Sequence, residues 1–271
     1  MTNQADPTWE RELEVARAAA REAGTVLLRH YEGGTKQWEK SEDNPVTLAD
    51  LESDRAIQEI LTEAFPDDAI LSEETVSTLE RLEKERVWIV DPMDGTKEFT
   101  KKIPEFAASI ALSFRGQPVV GVIQNPVTGT VVWASQGAGC FRDGQRVTVN
   151  RPAGLEEAVV IASRTEISRD QFAPYEGWFQ DLQPVGSIAW KLACVASGEG
   201  DLNISVAPKN EWDVCAGDCL VREAGGLYVD FEGQPRVYNQ EKTLIDCGMA
   251  AGAAPLLEAF FQRDRARREA D

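Results

Sequence analysis

The sequence is poor in histidine and has no long apolar run. His30 is the single histidine among 271 residues. Common zinc sites combine histidine with cysteine, so this scarcity argues against them. No apolar run approaches the length of a membrane span, and the polar start MTNQADPTWERELEVA lacks the apolar core of a signal peptide. We therefore expect a cytoplasmic protein without a membrane partner.

Basic residues are scarce as well. The chain has 46 Asp and Glu against 28 Lys and Arg, for a net charge of −18. Such a surface repels polyanions, so we expect no nucleic-acid partner. An anionic substrate would need a locally positive site, supplied by bases or by a bound cation. The cysteines are odd in number and form no C-x-x-C pair, so we expect reduced thiols. They are Cys140, Cys194, Cys215, Cys219 and Cys247.

The pattern of predicted helices and strands changes near residue 150. Before that point, two amphipathic helices precede runs that are typical of antiparallel strands, with a hairpin turn predicted at Asp143-Gly144. After it, strands and helices alternate, and LIDCGMA is predicted as one last strand. The pattern predicts an N-terminal α+β subdomain over residues 1–150 and a C-terminal α/β subdomain over residues 151–271.

Two acids follow a buried strand in the stretch VWIVDPMDG, residues 87–95. Acids are costly near a core unless something pairs with them. Asp91 and Asp94 are three residues apart, so a turn there can aim both carboxylates at one point. Pro92 and Gly95 are equally common in ordinary loop turns. Taken alone, the stretch leaves a purely structural role open.

Three more carboxylates stand at ends of predicted elements. Glu73 follows the apolar run AIL, and Asp50 and Asp213 each stand near the start of a helix. Individually, each has a structural reading: favourable placement at a helix N-terminus for two of them and a solvated loop for Glu73. Together, and with almost no histidine, they suit a hard cation such as Mg²⁺. Two such ions can activate a water and hold a leaving oxygen.

Several motifs resemble those of one family. DPMDGTKEF resembles the D-P-x-D-G-T motif of the lithium-sensitive, Mg²⁺-dependent phosphatases. This is the inositol monophosphatase superfamily, which includes 3'(2'),5'-bisphosphate nucleotidases. WDVCAGDCLVREAGG resembles its W-D-x-x-A-G signature, and FPDDAILSEE and NPVTLAD resemble two further segments. The resemblance runs from about Glu12 to Phe260 and implies the layered αβαβα sandwich of the sugar phosphatases.

The resemblance also implies metal ligands. Glu73, Asp91 and the backbone carbonyl of Met93 would hold one metal ion. Asp91, Asp94 and Asp213 would hold a second ion. With a further, weaker position, the site would take about two to three Mg²⁺ ions in all. None of the matched positions is substituted in this chain.

Other matched residues would act on water and phosphate. The resemblance implies that Asp50, Glu73 and Thr96 orient or deprotonate the attacking water. The backbone N–H groups of Gly95 and Thr96 would bind the phosphate, since Thr96 is expected to open a short helix whose free N–H groups attract anions.

The subfamily is suggested by the segments around these residues. GTKEF resembles the bisphosphate nucleotidases, whereas inositol monophosphatases usually have G-T-T-N-F there. VVIASRTE resembles their A-S-R-S-H segment, with Thr165 and Glu166 in place of Ser and His. A second phosphate needs a second cationic contact, for which Arg164 and Lys191 are candidates. An ordinary surface base is the alternative for each.

The implied activity is a phosphomonoesterase that removes the 3'-phosphate of 3'-phosphoadenosine 5'-phosphate. The alternatives are an inositol-1-monophosphatase or other sugar phosphatase, and a non-catalytic metal- or ligand-binding protein of the same fold. Family members occur as monomers and as dimers, so a homodimer remains open. Lys97 could draw an anion to the site. Trp190 could stack on a base, although its amphipathic helix favours a place in the core.

Overall fold

The structure is a computed structural model that describes residues 8–41, 44–75 and 78–270. Its helices are α1 (Glu10–Gly33), α2 (Leu48–Ala64), α3 (Thr96–Thr100), α4 (Arg164–Ser168), α5 (Ile188–Ala196), α6 (Glu211–Glu223) and α7 (Ala254–Ala270). Its strands are β1 (Gln37–Ser41), β2 (Asn44–Thr47), β3 (Ala69–Ser72), β4 (Arg86–Asp94), β5 (Ala107–Phe114), β6 (Gln117–Gln124), β7 (Val131–Ser135), β8 (Gly139–Arg142), β9 (Gln145–Val147), β10 (Val159–Ser163), β11 (Asp181–Val185), β12 (Leu202–Ser205), β13 (Lys209–Asn210), β14 (Leu227–Asp230), β15 (Leu244–Ile245) and β16 (Met249–Gly252).

The first large sheet has seven strands in the order β3-β4-β5-β6-β7-β8-β9. β3 runs parallel to β4, and every later neighbour is antiparallel. The hairpin predicted at Asp143-Gly144 is present, and both residues have positive φ, 49° and 87°. Positive φ at both positions is what a two-residue hairpin turn requires. The antiparallel prediction for this part is therefore confirmed, apart from the β3–β4 pair.

The second sheet has five strands in the order β11-β10-β12-β16-β14. β10 runs parallel to both β11 and β12, and β16 runs antiparallel to β12 and β14. The prediction of one last strand over LIDCGMA is wrong. β15 pairs with β13 in a separate two-stranded sheet, whereas β16 joins the five-stranded sheet. The predicted strand is interrupted between β15 and β16 because the two segments pair with different strands.

The layers alternate as the sequence resemblance implied. α1 and α2 cover one face of the seven-stranded sheet, α5 and α6 lie between the two sheets, and α7 packs against the five-stranded sheet. Close packing of the central helices depends on glycine. A Cβ at Gly217 of α6 would lie 2.4 Å from Leu192 of α5, and one at Gly121 of β6 would lie 2.6 Å from the Ala216 carbonyl. The αβαβα sandwich is confirmed, and α6 is held against the first sheet.

The proposed boundary at residue 150 falls between the two large sheets. The last strand of the first sheet ends at Val147, and the first strand of the second begins at Val159. Whether the parts behave as separate subdomains stays a prediction. The hairpin of β1 and β2 was not predicted.

Among the described helices, none is long and apolar enough to cross a membrane. All five cysteines are free thiols, as expected, and Cys247 is the exposed one.

Candidate active site

A cavity of about 310 Å³ lies between the end of β4, the short helix α3, and the starts of α5 and α6. Both halves of the chain contribute to its wall. The predicted site residues that line it are Glu73, Asp91, Met93, Asp94, Gly95, Thr96, Lys191 and Asp213. The acids that are widely separated in the sequence therefore meet at one place.

The end of β4 is shaped to present two carboxylates. The pairing of β4 with β5 shifts register between Asp91 and Asp94, as in a β-bulge, so that both residues reach the cavity. The backbone N–H of Met93 donates to Asp91 Oδ1 at 2.9 Å. Gly95 follows with φ 97°, and a Cβ there would lie 2.9 Å from the Glu105 carbonyl oxygen. Only glycine fits this turn without strain.

The C-terminal half orients Asp94 and supplies Asp213. Asp94 Oδ2 accepts from the Ser187 hydroxyl at 2.5 Å and from the Ala189 N–H at 2.6 Å, at the start of α5. Asp213 is the third residue of α6, and its Oδ2 accepts from the Asn210 N–H at 2.6 Å. Capping interactions at two helix starts therefore fix both carboxylates beside the cavity.

These carboxylates repel one another. Burial raises the pKa of Asp91 well above its usual range, and the charges of Glu73, Asp94 and Asp213 raise it further. Burial also raises the pKa of Asp213, with Asp94 as the next cause. Acids kept together at this cost, with raised pKa values, are a mark of functional sites.

The donor set fits a hard cation in its chemistry. The carboxylates and the Met93 carbonyl are oxygen donors, the type that Mg²⁺ prefers, and a cation would relieve the repulsion around Asp91. As they stand, no three Asp, Glu, His or Cys side chains within the described ranges are grouped so that they could hold an ion. The side chains of Asp91 and Asp213 bind backbone N–H groups instead.

Asp50 reaches the cavity through Thr96. The Thr96 hydroxyl donates to Asp50 Oδ1 at 3.1 Å, and Thr96 itself lines the cavity. The N–H and hydroxyl of Thr47 both donate to Asp50 Oδ2 at 2.7 Å, in the capping box that begins α2. Burial raises the pKa of Asp50 to about 6. The structure therefore brings together the Asp50 and Thr96 pair, whose catalytic role stays a prediction.

The two predicted contacts for a second phosphate differ. Arg164 is not among the residues that line the cavity, because its Nη2 pairs with Glu105 Oε2 at 2.6 Å. Lys191 does line it, although the residue is only 2% exposed. Its Nζ donates to the Ser187 carbonyl at 2.9 Å, and burial lowers its pKa to about 8. Of the two, the structure brings only Lys191 to the site.

Lys209 also lines the cavity and was missed in the sequence. Its Nζ pairs at 3.0 Å with Oε1 of Glu166, which is buried and also accepts from the Ser205 hydroxyl at 2.9 Å. Glu166, which stands where the resembling motif has histidine, therefore orients Lys209. A basic residue four positions before Asp213 was the available signal. Trp190 lies in the core, as favoured, and Lys97 lines the cavity.

Comparisons with known proteins assign the class. The model of the inositol monophosphatase family matches residues 8–262. The chain is 36% identical over 230 residues to the Nus factor SuhB of Pasteurella multocida, covering 82% of this chain and 85% of that protein. It is 33% identical over 241 residues to the 3'(2'),5'-bisphosphate nucleotidase CysQ of Salmonella typhimurium, covering 87% and 97%. The IMPase structure from Thermotoga maritima matches with a TM-score of 0.83 at 27% identity, over 95% of this chain and 98% of that one.

The chain belongs to the inositol monophosphatase family, a family of generally metal-dependent phosphatases. The resemblance drawn from the motifs is thereby confirmed. Within the family, the identities to SuhB and CysQ are comparable, 36% and 33%. The identities therefore do not assign the subfamily, and the residues that line the cavity have to be considered instead.

Proposed function

We propose that the protein is a Mg²⁺-dependent phosphomonoesterase that removes the 3'-phosphate of 3'-phosphoadenosine 5'-phosphate or a close relative. The observation that carries the proposal is a single cavity that joins repelling carboxylates to lysines. Asp91 and its acidic neighbours suit cations, and Lys191 and Lys209 suit an additional anionic group. A substrate with two phosphates uses both features.

The carboxylates would hold the metal ions. Glu73, Asp91 and the Met93 carbonyl form one ligand set, and Asp91, Asp94 and Asp213 form the other. Mg²⁺ bound there would neutralise charge on the phosphate and lower the pKa of water.

Asp50 and Thr96 serve the attacking water. The Thr96 hydroxyl, which donates to Asp50, orients a water in the cavity. With a pKa of about 6, Asp50 is mostly ionised at pH 7 and accepts a proton readily. Glu73 assists from the end of β3. The N–H groups of Gly95 and Thr96, at the start of α3, bind phosphate oxygens.

The lysines distinguish between substrates. Lys191 remains largely protonated at neutral pH, since its pKa is about 8. Lys209 is held by Glu166 beside the same cavity. A sugar monophosphate needs no second cationic contact, whereas the 5'-phosphate of a bisphosphate nucleotide does. This favours the nucleotide over inositol-1-phosphate, which is the alternative substrate.

Phosphate release from the two substrates at equal concentration tests the proposal. We expect kcat/KM to be roughly tenfold higher for 3'-phosphoadenosine 5'-phosphate, because one added charged contact contributes about 1.4 kcal/mol. EDTA should abolish the activity, and millimolar Li⁺ should inhibit it. Release from neither substrate would favour a non-catalytic binding protein, and preference for inositol-1-phosphate would support the alternative.

The substitution Lys209→Met tests the second contact. It should raise KM for the bisphosphate nucleotide by roughly tenfold and leave KM for inositol-1-phosphate within about twofold. The matched control is Lys101→Met, which removes a lysine from the exposed surface near α3. Equal changes for both substrates would contradict a role for Lys209 in selecting the nucleotide.

A further inference from the structure

Asp54 is a buried carboxylate on α2 that lies outside the cavity. It is 6% exposed and stands one helical turn after Asp50. Its Oδ1 accepts from the Ser72 hydroxyl at 2.5 Å, and its Oδ2 accepts from the Thr75 hydroxyl at 2.8 Å. These two partners flank Glu73, so one carboxylate ties down both sides of the segment that carries this residue.

Further hydrogen bonds connect α2 to the same region. Gln58, one turn further along α2, donates its Nε2 to both Asp54 Oδ2 and the Thr75 hydroxyl, each at 2.6 Å. The Ser53 hydroxyl of the same helix donates to the Pro92 carbonyl at 2.9 Å. The helix is thus bonded to the segment after β3 and to the end of β4, the two places that supply Glu73 and Asp91.

Such an anchor has a physical purpose. Glu73 and Asp91 both line the cavity, so two carboxylate charges there repel each other. The Glu73 N–H donates to the Val90 carbonyl at 3.2 Å and so continues the β3–β4 pairing past Ser72. A segment free to relax would move Glu73 away from Asp91. The bonds to Asp54 oppose this movement.

We propose that Asp54 is a positioning residue that holds Glu73 at the cavity for metal binding. This inference rests on the proposed function, because it concerns the same site. Asp54 itself touches neither metal nor substrate. Its effect passes through Ser72 and Thr75 to the backbone between them. Residues that orient metal ligands typically change metal affinity by about 10- to 100-fold when they are replaced.

The first test needs no metal. Asp54→Ala removes both acceptor oxygens, so neither hydroxyl that flanks Glu73 keeps its anchor on α2. We expect hydrogen exchange at residues 73–75 to become roughly tenfold faster in the metal-free protein. The control Glu59→Ala truncates an acid at an exposed position of the same helix and should leave exchange unchanged. Unchanged exchange in Asp54→Ala would overturn the inference.

The second test is a double-mutant cycle on Mg²⁺ affinity, measured by calorimetry. Asp54→Ala should weaken Mg²⁺ binding by about tenfold in the wild-type background and by less than twofold in a Glu73→Gln background. Equal losses in both backgrounds would mean that Asp54 does not act through Glu73. Should Asp54→Ala not fold, Ser72→Ala removes one anchor from the other side and is tested in the same cycle.

The outcomes separate this inference from the proposed function. A wild-type protein that binds no Mg²⁺ contradicts the proposed function, and the exchange experiment then decides alone whether Asp54 holds the segment. If the wild-type protein binds Mg²⁺ and Asp54→Ala binds it equally tightly, the metal site is supported and the role of Asp54 is refuted.

Discussion

Two buried carboxylates of this protein, Glu211 and Asp91, have opposite surroundings. Glu211 begins α6 and is fully buried. It accepts from Arg236 Nη2 at 3.0 Å, from the Asn239 N–H at 2.7 Å and from the Gln240 N–H at 3.1 Å. Burial raises its pKa, and each of these donors lowers it again. The charge of Glu211 is therefore compensated within the protein.

Asp91 is just as buried, at 1% exposure, and it has no such compensation. Burial raises its pKa, and so do three neighbouring acids: Glu73, Asp94 and Asp213. The N–H of Met93, which donates to Asp91, acts in the other direction and lowers the pKa.

The contrast separates structural acids from functional ones. A buried carboxylate with an arginine and N–H donors is part of the fold, and removing it leaves unpaired partners behind. A buried carboxylate among other carboxylates costs stability, so its presence indicates a ligand that the fold itself does not provide. Replacing an acid in each group should therefore change stability in opposite directions.

The largest effect is expected at the uncompensated group. Asp94→Asn keeps an oxygen for the bonds from Ser187 and Ala189 but removes the charge. Turnover should fall by roughly a thousandfold, because a metal ligand supports several kcal/mol of transition-state stabilisation. In metal-free protein the melting temperature should rise, because repulsion of Asp91 decreases. Phosphate release and calorimetry measure the two effects, with the exposed Asp246→Asn as control. Retained activity would contradict the two-metal mechanism.

The compensated group should respond in the other direction. Glu211→Gln removes the charge that pairs with Arg236 and is expected to lower the free energy of unfolding by about 2 kcal/mol. Urea denaturation of metal-free protein measures it. An increase in stability, as expected for Asp94→Asn, would remove the distinction drawn between the two groups.

A smaller effect comes from pH. Asp218 of α6 accepts from Arg222 Nε at 2.5 Å and from the Tyr238 hydroxyl at 2.9 Å, yet burial raises its pKa from 3.8 to about 6. The folded state then holds this proton more tightly than the unfolded chain. Its contribution to stability is full at low pH and is lost as the pH rises through about 6. Asp218→Asn should remove up to about 1.4 kcal/mol per pH unit of slope between about pH 4 and 6. The free energy of unfolding is measured by denaturation at several pH values across this range. Equal pH slopes for the wild type and Asp218→Asn would show that Asp218 does not titrate there.

Much of the site was predictable because its chemistry is local. The turn after Asp91 needs Gly95 for its positive φ, and the start of α2 needs the cap formed by Thr47 and Asp50. Asp213 is the third residue of α6, as Asp50 is of α2, and each completes a capping box at the start of its helix. Each feature is encoded within a few residues, so the motifs identified the acids, and the resemblance identified the family.

The lysine and arginine contacts were beyond such reasoning. Arg164 pairs with Glu105, 59 residues away, and is thereby withdrawn from the cavity. Lys209 is oriented by Glu166, 43 residues away. A long basic side chain can pair with any acid that the fold brings near, and the sequence does not say which.

By itself, then, the sequence determined the family, the layered fold and the acids at the ends of strands and helices, because turns and caps depend on neighbouring residues. Only the tertiary structure decided which basic side chains face those acids, and that Asp54 bonds to Ser72 and Thr75 on either side of Glu73. Such contacts join residues whose distance depends on the packing of whole helices and sheets, and electrostatic free energy follows that distance rather than separation along the chain.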